Sequence, residues 1–104
     1  FPPYCRLVFI IVEDQEEEGA RSASRRLVEL ARNWCLVHDH GHALSVLGPA
    51  PAPLERLRDR YRWQIMLKAT QLQPLHGLVE WIATTFQPPA QTRVTVDIDP
   101  ENML

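Results

Sequence analysis

An alternation of polar and apolar residues from Arg60 to Ala69 constrains the fold of this chain more than any other feature. Successive side chains of a β-strand point to opposite faces, so a period of two separates them into two sets. One set is Arg60, Arg62, Gln64, Met66 and Lys68, and the other is Tyr61, Trp63, Ile65, Leu67 and Ala69. The pattern predicts a strand with one apolar face for the core, including Trp63, and one cationic face for a partner.

The segment before this strand is rich in proline. Residues 48–53 read Gly-Pro-Ala-Pro-Ala-Pro, so every second residue has a fixed φ and no backbone N–H. We expect this segment to be extended but unable to pair regularly in a sheet. It would separate a second strand at residues 43–47 from the third strand at residues 60–69. Arg56 and Arg58 follow the prolines and extend the basic character of the third strand.

The remaining elements follow from their periodicity. Residues 5–12 are almost all apolar and rich in β-branched side chains, which predicts a central strand that ends before Glu13 and Asp14. An amphipathic helix follows the acidic residues 15–18, and a second covers residues 71–86, with Thr70 as a possible N-cap and Pro74 in the first turn. Residues 93–98 alternate and predict the fourth strand. The order β-α-β-β-α-β predicts an α+β fold, with two helices on one face of a four-stranded, mainly antiparallel sheet.

Composition limits the function classes. The chain has 104 residues and a formal net charge of −2, which fits one domain and gives no global electrostatic argument for nucleic acid. Cys5 and Cys35 are predicted to be free thiols, and no run of apolar residues approaches a membrane span. Because the chain does not begin with Met, we interpret residues 1–104 as one domain, a fragment of a larger protein.

Neither a metal site nor a catalytic site is expected. His38, His40 and His42 lie near Cys35, but their spacing matches no standard zinc motif, so a polar loop is the favoured interpretation. The sequence has no glycine-rich phosphate-binding loop and no nucleophile in a characteristic context. The basic and aromatic run is therefore the best candidate for function, because guanidinium groups bind phosphate oxygens and stack on bases.

Three separate motifs resemble one family. Residues 48–65 (GPAPAPLERLRDRYRWQI) look like a segment of the C-terminal domain of primosomal protein N′, the replication-restart helicase PriA. Residues 1–7 (FPPYCRL) resemble the start of that domain, and residues 96–100 (VDIDP) with the ending NML resemble its terminus. The chain departs from the family in having Cys5, where a small residue is usual, and in its histidine-rich loop.

The resemblance implies a fold like that of a small-subunit ribosomal protein and a place in a bacterial, cytoplasmic, nucleoid-associated 3′-to-5′ DNA helicase. It implies a non-catalytic domain without cofactors of its own, whereas ATP, magnesium and zinc belong to other parts of the parent. The implied partners are forked or single-stranded DNA, the helicase core and single-stranded-DNA-binding protein, with no membrane. The motif positions are Arg60, Arg62, Trp63 and Gln64, with a structural role for Trp63 and a DNA or partner role for the arginines.

Three hypotheses remain open. The chain is an accessory DNA-binding and docking domain, a structural domain that braces the helicase core without touching DNA, or a small-molecule regulatory domain. The first assigns the contacts with DNA or a partner to a defined set of residues. These residues are Arg56, Arg58, Arg60, Arg62, Gln64 and Lys68.

Overall fold

The computed structural model describes residues 5–38 and 43–98. Six elements follow one another along the chain. They are β1 (Arg6–Asp14), α1 (Glu17–Val37), β2 (Leu44–Leu57), β3 (Arg60–Ala69), α2 (Leu72–Thr85) and β4 (Arg93–Ile98). The predicted β-α-β-β-α-β order is confirmed.

The four strands form one antiparallel sheet in the order β2-β3-β1-β4. β1 is central, as its apolar sequence predicts, and β2 and β4 are the two edges. Both helices pack on one face: α1 contacts β1, β2 and β3, and α2 contacts α1 and β3. We call the opposite side, which neither described helix covers, the open face.

The hydrophobic core lies between the sheet and the helices. Burial of apolar side chains is the main favourable term in folding, at about 25 cal/mol per Å² of apolar surface. Alternate residues of each strand supply the sheet side of this core, as the period of two predicts for β3. The fully buried large side chains include Ile10, Val12, Leu27, Ile65, Leu67 and Leu78.

The strand β2 continues through the prolines, so the prediction that residues 48–53 interrupt the sheet is wrong. Ala50 pairs with Gln64 and Pro51 pairs with Trp63. The predicted irregularity is present, because the register shifts once between Leu47 and Ala50 and again after Pro51. An edge strand tolerates proline because it has a side on which no backbone N–H is needed.

The second shift forms a large bulge. Residues 52–55 stand opposite the single residue Arg62, between the pairs formed by Pro51 with Trp63 and by Arg56 with Tyr61. We call residues 52–55 the β2 bulge. Ala52, at its start, is buried, whereas the residues after it are exposed.

The other element boundaries differ slightly from expectation. β1 extends to Asp14, because Glu13 pairs with both Arg62 and Arg93 across the sheet. The N-cap of α2 is Gln71 rather than Thr70, and its side chain makes no capping hydrogen bond. Pro74 lies in the first turn, as predicted. Neither described helix is both long enough and apolar enough to cross a membrane.

Replacing Gly48 by alanine is expected to lower the free energy of unfolding by about 1–2 kcal/mol. Gly48 has φ of +108°, a conformation that L-residues rarely adopt, and an added Cβ would lie 3.0 Å from the carbonyl oxygen of Gln64. Urea unfolding measures the effect. Ala50→Gly, at an exposed site two residues away, is the control and should cost less; equal losses for the two variants would contradict the structural role of Gly48.

Candidate functional site

The tip of the β2–β3 hairpin presents two arginines. Arg58 and Asp59 connect Leu57 to its partner Arg60 in a two-residue turn, and both have positive φ, at 52° and 63°. Such turns match the twist of the flanking strands. The side chains of residues 56–59, which we call the hairpin tip, are all exposed.

Arg56 lies along the side of the hairpin tip. Its guanidinium carbon is 5.0 Å from the centre of the Tyr61 ring, and its Nη2 is 3.5 Å from a carboxylate oxygen of Asp59. Exposed ion pairs of this kind contribute at most about 1 kcal/mol, so they do not prevent a stronger anion from taking over the arginine. Arg56 and Arg58 are therefore available to an anionic partner.

Arg60 instead makes contacts within the domain. Its Nη2 donates to the backbone oxygen of Glu13 at 3.3 Å and to that of Gln91 at 2.9 Å. These contacts join the end of β1 to the loop that precedes β4. Arg60 is half-buried, and within the described residues its buried Nε has no hydrogen-bond partner.

Arg62 holds the β2 bulge in place. Its Nε donates to a carboxylate oxygen of Glu13 at 3.1 Å, and its Nη1 donates to the backbone oxygen of Leu54 at 2.9 Å. The side chains of Arg62 and Glu13 are 21% and 14% exposed. Arg93 approaches the same carboxylate at 3.8 Å, so Glu13 lies between two guanidinium groups. Much of the charge of Arg62 is consequently balanced inside the domain.

Gln64 and Lys68 lie on the open face of β3, as Arg60 and Arg62 do. Gln64 is half-buried beside the β2 bulge, and Lys68 is exposed near the other end of β3. Lys68 takes part in no ion pair within the part of the chain that the structure describes. The predicted cations thus form two groups: Arg56, Arg58 and Lys68 extend into solvent, whereas Arg60 and Arg62 bind neighbouring parts of the domain. Their role in binding DNA or a partner stays a prediction.

The aromatic residues of β3 lie at the margin of the core. Ile65, Leu67 and Ala69 are buried under the helices, but Tyr61 and Trp63 are half-buried. The prediction of Trp63 as a core residue is therefore wrong, although it lies on the predicted face. Tyr61 and Trp63 line a cleft of about 100 Å³ with Glu17, at the start of α1. Helix α1 begins at Glu17, beside these rings. The body of the helix packs over the rest of the sheet, so both rings stay partly exposed.

The histidine-rich loop lies largely outside the described residues, since His40 and His42 fall in the gap at 39–42. The Nδ1 of His38 is 2.9 Å from the backbone oxygen of Trp34, and the two rings stack at 4.2 Å. In residues 5–38 and 43–98 no group of three metal-ligating side chains occurs. Burial raises the pKa of the Cys35 thiol, which therefore stays protonated at neutral pH.

The open face carries a groove that the sequence does not predict. Phe9 and Ile11 of β1 form its floor, and Pro53 and Leu54 of the β2 bulge form one wall. It has a volume of about 510 Å³. The uniformly apolar sequence of β1 does not show which residues face away from the helices, and the pairing of Phe9 with Met66 and Asp97 assigns it to the open face.

Comparison with known protein families shows to which family the chain belongs. Residues 1–101 match the family of primosomal protein N C-terminal domains. The chain belongs to this family. The match covers the whole described fold, including the proline-rich β2 and the arginines of β3.

Full-length relatives agree with this assignment. The chain is 33% identical over 103 residues to the replication restart protein PriA of Haemophilus influenzae and 31% identical over 108 residues to the probable replication restart protein PriA of Deinococcus radiodurans. It is 25% identical over 107 residues to PriA of Bacillus subtilis. These alignments cover 98–100% of the chain but only 10–13% of the relatives. The chain thus corresponds to one small domain of the relatives it matches.

Solved structures support the fold alone. The designed protein Foldit4 superposes with a TM-score of 0.60 at 16% identity, covering 91% of this chain and 96% of that one. A designed ferredoxin-fold protein, LFR1 1, superposes with a TM-score of 0.55 at 11% identity, covering 90% of this chain and 83% of that one. The arrangement is therefore ferredoxin-like.

Proposed function

We propose that this chain is the C-terminal accessory domain of a replication restart helicase and that it helps this protein bind branched or single-stranded DNA. Support comes from the family match and from relatives that are replication restart proteins. The structural observation that carries the proposal is the hairpin tip, where Arg56 and Arg58 extend into solvent. Arginine side chains in this position suit contacts with phosphate, which do not depend on base sequence.

The charge distribution suits a supporting role in DNA binding. The net charge is −2, and Arg60 and Arg62 already bind acceptors within the domain. A few exposed cations give modest, salt-sensitive affinity, because each phosphate contact releases condensed counterions. The same exposed cations, with Lys68, would attract the acidic tail of single-stranded-DNA-binding protein, which we propose as a second partner.

The domain acts without a catalytic group of its own in this proposal. The ATP-dependent 3′-to-5′ motor and its magnesium and zinc sites would lie in the remainder of the parent protein. The parent would work in the bacterial cytoplasm, at the DNA of the nucleoid. The contribution of the domain would be to hold DNA and partner proteins near that motor.

A second function, bracing the helicase core without direct contact to DNA, is favoured by two observations. Arg60 and Arg62 make internal bonds, as this hypothesis predicts for them. Leu36 and Val37, at the end of α1, are 78% and 79% exposed, and exposed apolar side chains next to each other suit a protein contact. Under this alternative the chain would bind no DNA, but its deletion would impair the parent.

A variant of the hairpin tip separates the two functions. Arg56→Gln combined with Arg58→Asn removes both charges, and asparagine tolerates the positive φ of residue 58. We expect about tenfold weaker binding to forked DNA, and a slope of log affinity against log salt that is lower in magnitude by about 1.4–1.8. Fluorescence anisotropy of labelled DNA at several salt concentrations measures both quantities.

The matched control is Arg25→Gln, which removes an exposed arginine from α1. It should change affinity less than the paired variant, because it lies on α1, outside the hairpin tip. If both variants leave affinity and salt slope at their original values, the hairpin tip does not bind DNA. Loss of parent activity on deletion of the domain would then favour the bracing role.

A further inference from the structure

The groove on the open face has a geometry that suits a flat ring. Phe9 on β1 is half-buried and lies opposite Met66 on β3 and Asp97 on β4. Ile11 continues the apolar floor, and Pro53 and Leu54 form a wall above it. The β2 bulge creates this wall, since it carries four residues over a single residue of β3. The result is an apolar concavity at the centre of the sheet, with a volume of about 510 Å³.

Three polar side chains line the groove, and one of them, Arg62, already donates its hydrogen bonds within the domain. The amide of Gln64 can donate and accept hydrogen bonds, and the carboxylate of Asp97 accepts them. Asp97 would repel a phosphate but accept a bond from an exocyclic amino group. Lys68 lies outside the groove on the same strand face, two residues beyond Met66, and is exposed. An aromatic heterocycle inside and a phosphate outside complement this arrangement of charge.

We propose that the groove binds a base of single-stranded DNA, stacked on the Phe9 ring, with the adjoining phosphate near Lys68. This inference rests on the proposed DNA-binding function and specifies a second contact for it, separate from the hairpin tip. Bases stack on aromatic side chains at the surface of other four-stranded sheets, and such stacking tolerates different base sequences. A domain that acts at any fork must bind DNA whatever its base sequence.

The test compares two single-stranded oligomers of equal length, one of deoxycytidine and one with abasic sites throughout. Cytosine carries an amino group that can donate to Asp97. We expect the chain to bind oligo(dC) at least about fivefold more tightly than the abasic strand, because stacking adds to the phosphate contacts. Phe9→Leu should remove this preference while leaving affinity for the abasic strand unchanged. Phe9→Tyr, which retains the ring, should keep the preference.

The outcomes distinguish this inference from the function on which it rests. Equal binding of both oligomers by the unmodified chain, or a preference that survives Phe9→Leu, would overturn the groove proposal and leave DNA binding through the hairpin tip intact. Failure to bind either oligomer and the forked DNA at low salt would overturn both, whereas binding of the forked DNA alone would overturn only the groove proposal. Circular dichroism verifies that Phe9→Leu is folded. If Phe9→Leu also loses affinity for the abasic strand, Phe9 has a structural role and the stacking contact is rejected.

Discussion

Asp14→Ala is expected to lower the free energy of unfolding by about 3 kcal/mol, the largest effect that we expect of a single polar side chain in this fold. Asp14 is only 3% exposed. Its carboxylate accepts hydrogen bonds from the Thr92 hydroxyl at 2.7 Å and from the Glu16 backbone N–H at 2.8 Å. It thereby joins the start of α1 to the loop before β4. Alanine would leave both donors without this acceptor.

Urea unfolding followed by circular dichroism measures this effect. Asp97→Ala is the control, because Asp97 is an exposed aspartate on β4, and it should change stability by less than about 0.5 kcal/mol. Thr92→Val removes one of the two bonds and should cost about 1 kcal/mol. If Asp14→Ala is no more destabilising than Asp97→Ala, Asp14 does not hold these elements together.

Arg62→Ala is expected to cost about 2–3 kcal/mol. The variant loses two charge-assisted hydrogen bonds, one to Glu13 and one to the Leu54 carbonyl that positions the β2 bulge. It also leaves the largely buried carboxylate of Glu13 with the more distant Arg93 as its ionic partner. The partial exposure of Arg62 keeps the expected value below that of a fully buried pair.

A double-mutant cycle with Glu13→Gln isolates the contact between the two side chains. We expect a coupling free energy of at least about 1 kcal/mol for Arg62 with Glu13. The same cycle with Arg25, on α1, should give a value near zero. Absence of coupling between Arg62 and Glu13 would mean that this ion pair does not hold the arginine in place, which would leave the bond to the Leu54 carbonyl as its described internal contact. Under conditions in which Arg62→Ala remains folded, its affinity for DNA should differ from that of the unmodified chain by less than the affinity of the hairpin-tip variant does.

Local patterns predict most of the architecture. The alternation from Arg60 to Ala69 gives β3 with its correct bounds, and the apolar run of β1 predicts its central place in the sheet. The two amphipathic stripes give both helices within a few residues. These features are predictable because each depends on periodicity within one element, which the sequence shows directly.

Features that depend on distant partners were not predictable in the same way. Proline disfavours a central strand, but β2 is an edge strand, and its place in the sheet is decided by the other three strands. Glu13 and Asp14 look like the end of a strand, yet their carboxylates bind Arg62 and Thr92, which are 49 and 78 residues away. Such partners become apparent only once the strands are paired.

The candidate site was predicted in part. Alternation placed Arg60 and Arg62 on the correct face of β3, but it could not show that β1, the β2 bulge and the loop before β4 supply acceptors for them. Trp63 is on the apolar face and still lies outside the core, because α1 begins beside it. The sequence alone therefore does not show which arginines are exposed and which form hydrogen bonds within the domain.

Titration of a labelled forked DNA with the unmodified chain shows whether this domain holds DNA. Anisotropy titrations at about 50 mM and 200 mM salt would show whether affinity exists and how strongly it depends on counterions. We expect measurable binding at low salt that weakens steeply at the higher concentration. Absence of binding at both concentrations, or binding that is indifferent to salt, would contradict the claim that this domain helps a replication restart protein hold DNA.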